Sequence, residues 1–317
     1  MSTELLTLAA VSDQLAAAVD HAAQHVVAVH ARERLASTGV HWRDDLVVTT
    51  AATVRRDSGI MLTLPSGERV DATLVGHDPV SDLAVLRSAA VTALPVAVAG
   101  DPSTLRPGHL VLAVARLDAH GPRVAFGAVS QVGGAWRSWK GAEYSRQLQS
   151  GLTLYPGFGG TPLVDAHGRV HGINSGGLSQ AMATTIPYPD VDRVVTQLLT
   201  AGYVARGWLG AAMQPVRFPD ANSAGAIGRD GGLLIVGLAD GGPAARSGLL
   251  VGDIVLSVNG REVHEPRDVL DLLERTTPGT VLPFDVLRGG VRTRQEVTVG
   301  ERPRDAGHGR RGRGRRG

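Results

Sequence analysis

The sequence predicts a mainly β fold in two globular parts, on three observations. Forty-one glycines and 17 prolines punctuate 317 residues, and turn-formers at that density divide a chain into short strands rather than long helices. The apolar residues fall in many short runs, several with strict alternation. The hydrophobic share of 43% against 20% charged supplies two ordinary cores, since domains run to about 100 to 200 residues.

Taken in order, Ser12 is placed to cap a first helix in which Leu15, Val19, Ala22 and Ala23 repeat at helical spacing against Asp20, His21 and Gln24. A strand from Val26 to His30 follows. Gly59 to Leu64 and Glu68 to Val75, joined by Pro65-Ser66-Gly67, read as a hairpin. Its second arm alternates Val70, Ala72 and Leu74 against Arg69, Asp71 and Thr73. Further apolar segments at Leu83 to Leu86, His109 to Ala115, Val124 to Val132 and Val170 to Ile173 suit a closed barrel or sandwich. A helix from about Asp190 to Thr200 presents Val191, Val194, Val195, Leu198 and Leu199, and Ala201-Gly202 ends it. From Tyr203 a second part reads as a strand (Leu233 to Leu238), a helical turn (Gly242 to Ser247), a strand (Asp253 to Val258) and a helix (Arg267 to Arg275). Two strands around Arg288-Gly289-Gly290 complete it.

The formal net charge of +2 hides an asymmetry, because the stretch Glu301 to Gly317 holds seven arginines against two acids. Its last residues, GHGRRGRGRRG, include no apolar residue with which to fold, and the tail is expected to be disordered. Its plain reading is a solubilising segment; association with nucleic acid or an anionic membrane is the alternative. No RNA-binding aromatic pattern, helix-turn-helix or zinc motif supports a nucleic-acid partner. Cysteine is absent, which excludes thiolate catalysis and cysteine-ligated zinc, and nothing calls for a cofactor or metal. Met1 to Ala10 has Glu4 and no lysine or arginine, so a basic leader is not read there and a cytoplasmic protein is expected. No apolar stretch reaches the roughly 18 residues of a membrane span.

Three segments then carry a resemblance. VVTTAATV (Val47 to Val54), GHDPVSDLAVLR (Gly76 to Arg87) and YPGFGGTPLVDAHGRVHGIN (Tyr155 to Asn174) are similar, in order and spacing, to the three catalytic segments of HtrA/Deg proteases. RGWLGA (Arg206 to Ala211) and GGPAARSGLLVGDIVLSVNGREV resemble the PDZ domain that follows in that family. The resemblance implies a chymotrypsin-like double β-barrel followed by an α+β PDZ domain. Its implied divisions are an N-terminal segment and helix to residue 25, a trypsin-like domain over 26–202, a PDZ domain over 203–300 and the tail over 301–317.

The same resemblance places the triad positions at Ala52, Asp82 and Gly159, with Gly157 and Gly159 in the oxyanion turn. Only the carboxylate is of catalytic type. A triad needs an oxygen nucleophile and an imidazole that takes its proton, so the chain is expected to be a pseudoenzyme with no catalytic residues. An active serine endopeptidase is the alternative. Thr161 and His41, His77, His109, His120, His167 and His171 are the nearest substitutes by type, and Phe158, where the family has a polar residue, is expected either to fill the emptied cleft or to lie exposed on the surface. In the PDZ part, Trp208, Leu209, Gly210 and Ala211 are implied to receive a carboxylate, with Val269, Leu272 or Leu273 lining an apolar pocket or packing into the core. The expected partners are polypeptide C-termini or unfolded protein, making the chain an adaptor, a holder or a regulator of another protease. The family trimerises through aromatic residues near its N-terminus, and here none precedes Trp42, so a homo- or hetero-oligomer with HtrA-type proteases is left open.

Overall fold

The computed structural model describes residues 7–178, 183–218, 230–274 and 276–301; the expected disordered tail, apart from Glu301, lies outside them. The chain divides into two compact units, Met1–Val204 and Ala205–Gly317.

Among the described residues of the first unit, helix α1 (Leu8–Ala23) precedes fourteen strands. Its cap is Thr7, whose hydroxyl accepts the Ala10 amide at 3.2 Å, not Ser12. Leu8 to Val11 are apolar and helix-compatible, so the first turn forms upstream of the serine. One closed barrel is built from β1 (Val26–His30), β2 (Ser37–Arg43), β3 (Leu46–Thr49), β4 (Ile60–Thr63), β5 (Arg69–Asp78) and β6 (Leu83–Arg87), in the order β1-β2-β3-β6-β5-β4. The hairpin read from the sequence is β4–β5, with Ile60 opposite Ala72 and Leu62 opposite Val70.

A second closed barrel takes β7 (Leu110–Arg116), β8 (Pro122–Val132), β11 (Leu148–Ser150), β12 (Pro162–Asp165), β13 (Val170–Ser175) and β14 (Ala183–Pro187). Between β8 and β11 lies a small ribbon, β9 (Trp136–Arg137) with β10 (Glu143–Tyr144). Helix α2 (Tyr188–Ala201) follows, ending at Gly202 in a left-handed conformation.

The runs that read as continuously apolar are strands buried on both faces. On β3, Val47 packs inside the first barrel while Leu46 and Val48 face outward into the core shared with the helices. β7 does the same in the second barrel, with Val111, Ala113 and Ala115 inside and Leu112 and Val114 outside. Val191, Val194, Val195 and Leu198 of α2 and Ala18, Ala22 and Ala23 of α1 close that outer core; each large side chain so buried contributes about 1.5–3 kcal/mol.

The second unit is a twisted antiparallel sheet in the order β16 (Ala211–Arg217), β17 (Gly231–Leu238), β18 (Ile254–Val258), β20 (Val281–Arg288), β21 (Val291–Thr298), with β19 (Arg261–Glu262) on β18. A separate ribbon joins β15 (Gly207–Trp208) to β22 (Gly300–Glu301). Helices α3 (Pro243–Arg246) and α4 (Pro266–Glu274) accompany the sheet. Phe284, Leu233, Ile235, Val255, Val269 and Leu273 form its core. Among the described residues β16 pairs only with β17 and is there an edge strand, a place where its Pro215 is tolerated.

Candidate functional site

In the first unit, two turns and one strand end meet. A 3-10 turn after β3 (Ala51–Thr53) carries Ala52, Asp82 leads into β6, and the loop before β12 carries Gly159. Asp82 is 1% exposed and has a left-handed backbone, φ 55°. One carboxylate oxygen accepts the Ala52 amide at 2.8 Å, and the other accepts the Ser175 hydroxyl at 2.5 Å. Its carbonyl accepts the Ala51 amide at 3.1 Å. Ala52 is exposed, so its methyl presents neither donor nor acceptor beside that carboxylate.

At Gly159 a side chain is admitted only if its neighbours give by a few tenths of an ångström. A Cβ there would lie 3.0 Å from Thr50 Oγ1 and 3.2 Å from Thr53 Cγ2. The loop is stitched to the first barrel by the Thr38 amide on the Gly159 carbonyl at 3.3 Å and the Thr38 hydroxyl on the Gly157 carbonyl at 3.2 Å. At Gly160, φ 90°, a Cβ would strike the Thr38 carbonyl, so this turn requires glycine. Among the described residues the amides of Gly157 and Gly159 donate to no protein acceptor, whereas those of Phe158, Gly160 and Thr161 do.

Thr161, His41 and His171 are engaged elsewhere. Thr161 is fully buried and donates to the Phe158 carbonyl at 2.9 Å while accepting Asn174 Nδ2 at 3.1 Å. His41 spans the carbonyls of Pro95 and Asp44, and His171 meets Asp165 at 3.0 Å. His77 and His167 are exposed. No contact among the described residues joins any of these imidazoles to Asp82 or Gly159. Phe158 is 3% exposed and packs with Leu148, Leu152 and Leu163 in the second barrel, rather than lying on the surface.

Two features escaped the sequence reading. Ser175, one residue past the recognised motif, supplies the hydrogen bond that holds Asp82. The β9–β10 ribbon borders the same place: Tyr144 donates to the Ser81 carbonyl at 3.0 Å, and Trp139 Nε1 donates to the Gly177 carbonyl at 3.0 Å. Stacking of Trp136 on Tyr144, 5.2 Å between centroids, fixes the ribbon.

The second unit carries a groove of about 200 Å³. Trp208, Leu209, Gly210 and Ala211 form one wall with Met213 of β16, and Pro266, Val269, Leu270 and Leu273 of α4 form the other. Gly210 is left-handed, φ 70°, and the Trp208 ring lies where a Cβ would point, so the loop turns tightly only with glycine. The carbonyls of Leu209 and Gly210 accept the amides of Ala244 and Ala239 at 2.9 and 2.7 Å, while their own amides donate to nothing among the described residues. Val269 and Leu273 serve both groove and core. Leu272 is a correction: it packs against the core outside the groove, and Leu270, half exposed, takes its place. The start of α4 is fixed by Asp268, which accepts the His264 and Glu265 amides at 2.7 and 2.9 Å. Those amides hold its carboxyl below the usual carboxylate range against partial burial.

Among the described residues no three His, Asp or Glu side chains are grouped to hold a metal ion, and no helix is long and apolar enough to cross a membrane.

Comparison with known proteins agrees with this architecture. Residues 37–173 match the trypsin-like peptidase domain and residues 234–288 the PDZ domain. A probable periplasmic serine endoprotease, DegP-like, of Brucella suis biovar 1 is 35% identical over 271 residues, 83% of this chain and 52% of that protein. Its counterpart in Halomonas elongata is 34% identical over 281 residues, covering 86% and 58%. The chain thus spans about half the length of the curated relatives it matches. The solved HtrA-type protease AlgW with tripeptide superposes with a TM-score of 0.71 at 31% identity, over 92% of this chain and 99% of that one. The serine endoprotease from Yersinia pestis does so at 0.72 and 28%, over 92% and 98%. These relatives correct the compartment read from Met1 to Ala10: they are named periplasmic, which points to the periplasm rather than the cytoplasm. The missing basic residues described ten positions, whereas the likeness extends over most of the chain. With a double barrel of trypsin type followed by a PDZ domain, and with these relatives, the chain belongs to the HtrA/Deg family.

Proposed function

We propose that this chain is an HtrA-type pseudoprotease: it holds polypeptides by their free C-termini in the second unit and does not cut them in the first. The observation that carries this is the chemistry at Ala52 and Gly159, a methyl and a hydrogen beside a carboxylate with an intact hydrogen-bond shell. Removing the serine or the histidine from a triad costs on the order of 10⁶ in kcat, about 8 kcal/mol of barrier. Among the described residues no contact brings a histidine to Asp82, and Thr161, His41 and His171 are committed elsewhere.

The groove supports the binding half. An extended ligand adds as a strand beside the edge strand β16, where backbone pairing gives affinity. Its terminal carboxylate meets the two undonated amides of Leu209 and Gly210, whose charge-assisted bonds are roughly twice as strong as neutral ones. Its last side chain enters the apolar space between Met213, Val269, Leu270 and Leu273, which suits an aliphatic residue. Adaptor, chaperone-like holder and protease regulator are the roles such binding serves.

Incubation with unfolded casein and a serine-directed fluorophosphonate tests the first half: neither fragments nor label are expected. Label on any residue of the chain contradicts it. Fluorescence polarisation with free-acid and C-terminally amidated peptides tests the second, and equal affinity for both contradicts it.

A further inference from the structure

A second pocket lies in the first unit, outside the triad positions, and the function so far makes no use of it. It has a volume of about 260 Å³ and opens between the loop that joins β1 to β2 and the loop that joins β7 to β8. Arg32, Arg34 and Arg123 line it together with Leu35, Ala36 and Leu117. Ala36 and Leu117 also abut the Gly157 turn: a Cβ at Gly157 would lie 3.0 Å from the Ala36 carbonyl oxygen and 2.6 Å from Leu117 Cδ2. The Gly157 amide has no protein acceptor among the described residues, and a chain lying over that turn runs beside the pocket.

The pocket offers more donors than the acids that line it can use. Arg32 is half-buried, and its guanidinium donates to the Leu35 and Ala36 carbonyls at 2.6 and 3.4 Å, so it braces the loop. The Arg34 guanidinium is exposed and pairs with nothing among the described residues. Arg123 gives one bond to Asp118, at 3.3 Å, and that carboxylate also accepts the His120 amide and meets His120 Nδ1. Glu33, the other lining acid, is exposed and has no partner among the described residues. His30 adds no charge at neutral pH: burial, then Arg69, hold its imidazole below its ordinary value, and its Nε2 is shared with Thr63 Oγ1 at 2.8 Å. The neighbouring elements are balanced. Arg55, Arg56 and Asp57 follow the 3-10 turn, where the Arg55 amide donates to the Ala31 carbonyl, and Glu68, Arg69 and Asp71 belong to the β4–β5 hairpin beside His30. The excess is confined to the guanidinium groups around one small space, which suits a single carboxylate rather than a polyanion that needs an extended basic face.

We propose that this pocket takes the side-chain carboxylate of a glutamate or aspartate in a polypeptide lying over the Gly157 turn, so that the first unit holds acidic stretches of chains it does not cut. Arg34 and Arg123 supply the charge-assisted bonds, which are roughly twice as strong as neutral ones, and Arg32 keeps the loop in shape for them. A guanidinium presents its donors as a planar fork that matches a carboxylate. The site needs no free C-terminus and so stands apart from the groove of the second unit; it rests on the reading that the first unit leaves its ligand whole. Because Arg34 and Arg123 are exposed, their pairing is modest and screened by salt, and the site selects among chains more than it captures them.

Fluorescence polarisation on the full chain tests this with peptides labelled at the N-terminus and amidated at the C-terminus, which carry no terminal carboxylate for the groove. One has a glutamate at its centre and the other a glutamine in its place. The glutamate peptide is expected to bind about fivefold more tightly at low salt. That gap closes at high salt and in the variants Arg34→Gln and Arg123→Gln, both at exposed positions, whose unchanged melting temperatures show that they fold. Equal affinity of the two peptides, or a preference for glutamate that survives both variants, overturns the proposal. Saturation of the pocket by inorganic phosphate at concentrations where the glutamate peptide does not bind makes it a small-anion site and likewise overturns it. The groove reading fails separately: with peptides that contain no acidic residue, the amide then binds as well as the free acid.

Discussion

The two units differ in what their function requires of them. In the first, the positions that the family resemblance gives to a triad hold Ala52, Asp82 and Gly159: Asp82 accepts from Ala52 and Ser175, and among the described residues the Gly157 and Gly159 amides donate to no acceptor. In the second, the loop, the edge strand and the apolar wall of the groove are all present. Catalysis needs a few side chains in one geometry, whereas strand addition needs mainly backbone and an apolar pocket. On the proposed reading, two changed side chains suffice to abolish the first activity and leave the second in place.

The largest effect that sharpens this contrast is on chemistry. Gly159→Ser alone and Ala52→His alone are each expected to leave fluorophosphonate labelling at background, because a hydroxyl without a base and a base without a hydroxyl are equally inert. The double variant is expected to label. Labelling by either single variant breaks the account of the cleft. Next comes the groove: Leu270→Asp places a charge in the apolar wall at a half-exposed position. It is expected to weaken free-acid peptide binding by about tenfold or more, near 1.4 kcal/mol, with an unchanged melting temperature. Leu272→Ala reverses the pattern, lowering stability and sparing affinity; an affinity loss there returns Leu272 to the groove.

A third effect concerns what holds the first unit together. His25 is 1% exposed, with Nε2 unpartnered, and burial, with His21 and His41 beside it, pushes its imidazole down to about 4. A depressed folded-state value means the unfolded chain takes up the proton first. Stability from this group is complete above its ordinary value of about 6.5 and is lost as pH falls towards 4, roughly 3 kcal/mol in all. His25→Leu is expected to flatten urea-unfolding stability across that window, and an unchanged slope contradicts it. Asp165 acts at lower pH: burial raises its carboxyl, but His171, the Arg169 and His167 amides and the Arg169 guanidinium outweigh that and hold it well below the carboxylate range. Its contribution is present above about pH 4 and disappears in stronger acid, so Asp165→Asn costs stability at neutral pH and blunts acid unfolding.

The smallest effect is at Asp82. Asp82→Asn retains the left-handed backbone that asparagine tolerates, but disturbs the charge-assisted bonds to Ala52 and Ser175. A loss of about 1–2 kcal/mol is expected, with peptide binding in the second unit unchanged.

What was legible in the sequence follows from where the information lies. Strand runs such as Leu83 to Leu86 and Val111 to Ala115, the latter within the segment read as His109 to Ala115, showed because both faces are buried, which leaves no polar residue to interrupt them. The positions of Ala52, Asp82 and Gly159 came from motif spacing. The Leu272 assignment failed for a geometric reason: Val269, Leu272 and Leu273 are the stripe facing the core, whereas the groove meets Pro266, Val269, Leu270 and Leu273, a stripe rotated by part of a turn. The β9–β10 ribbon was not legible, since its strands are two residues long and its hold on the cleft runs through the single side chains of Trp139 and Tyr144.

Native mass spectrometry of the intact chain, equilibrated with one peptide as its free acid and as its amide, tests the central claim most directly. The account predicts a complex at the mass of chain plus uncut peptide for the free acid, and little or none for the amide. Peptide fragments in the spectrum, or equal occupancy by the amide, contradict it.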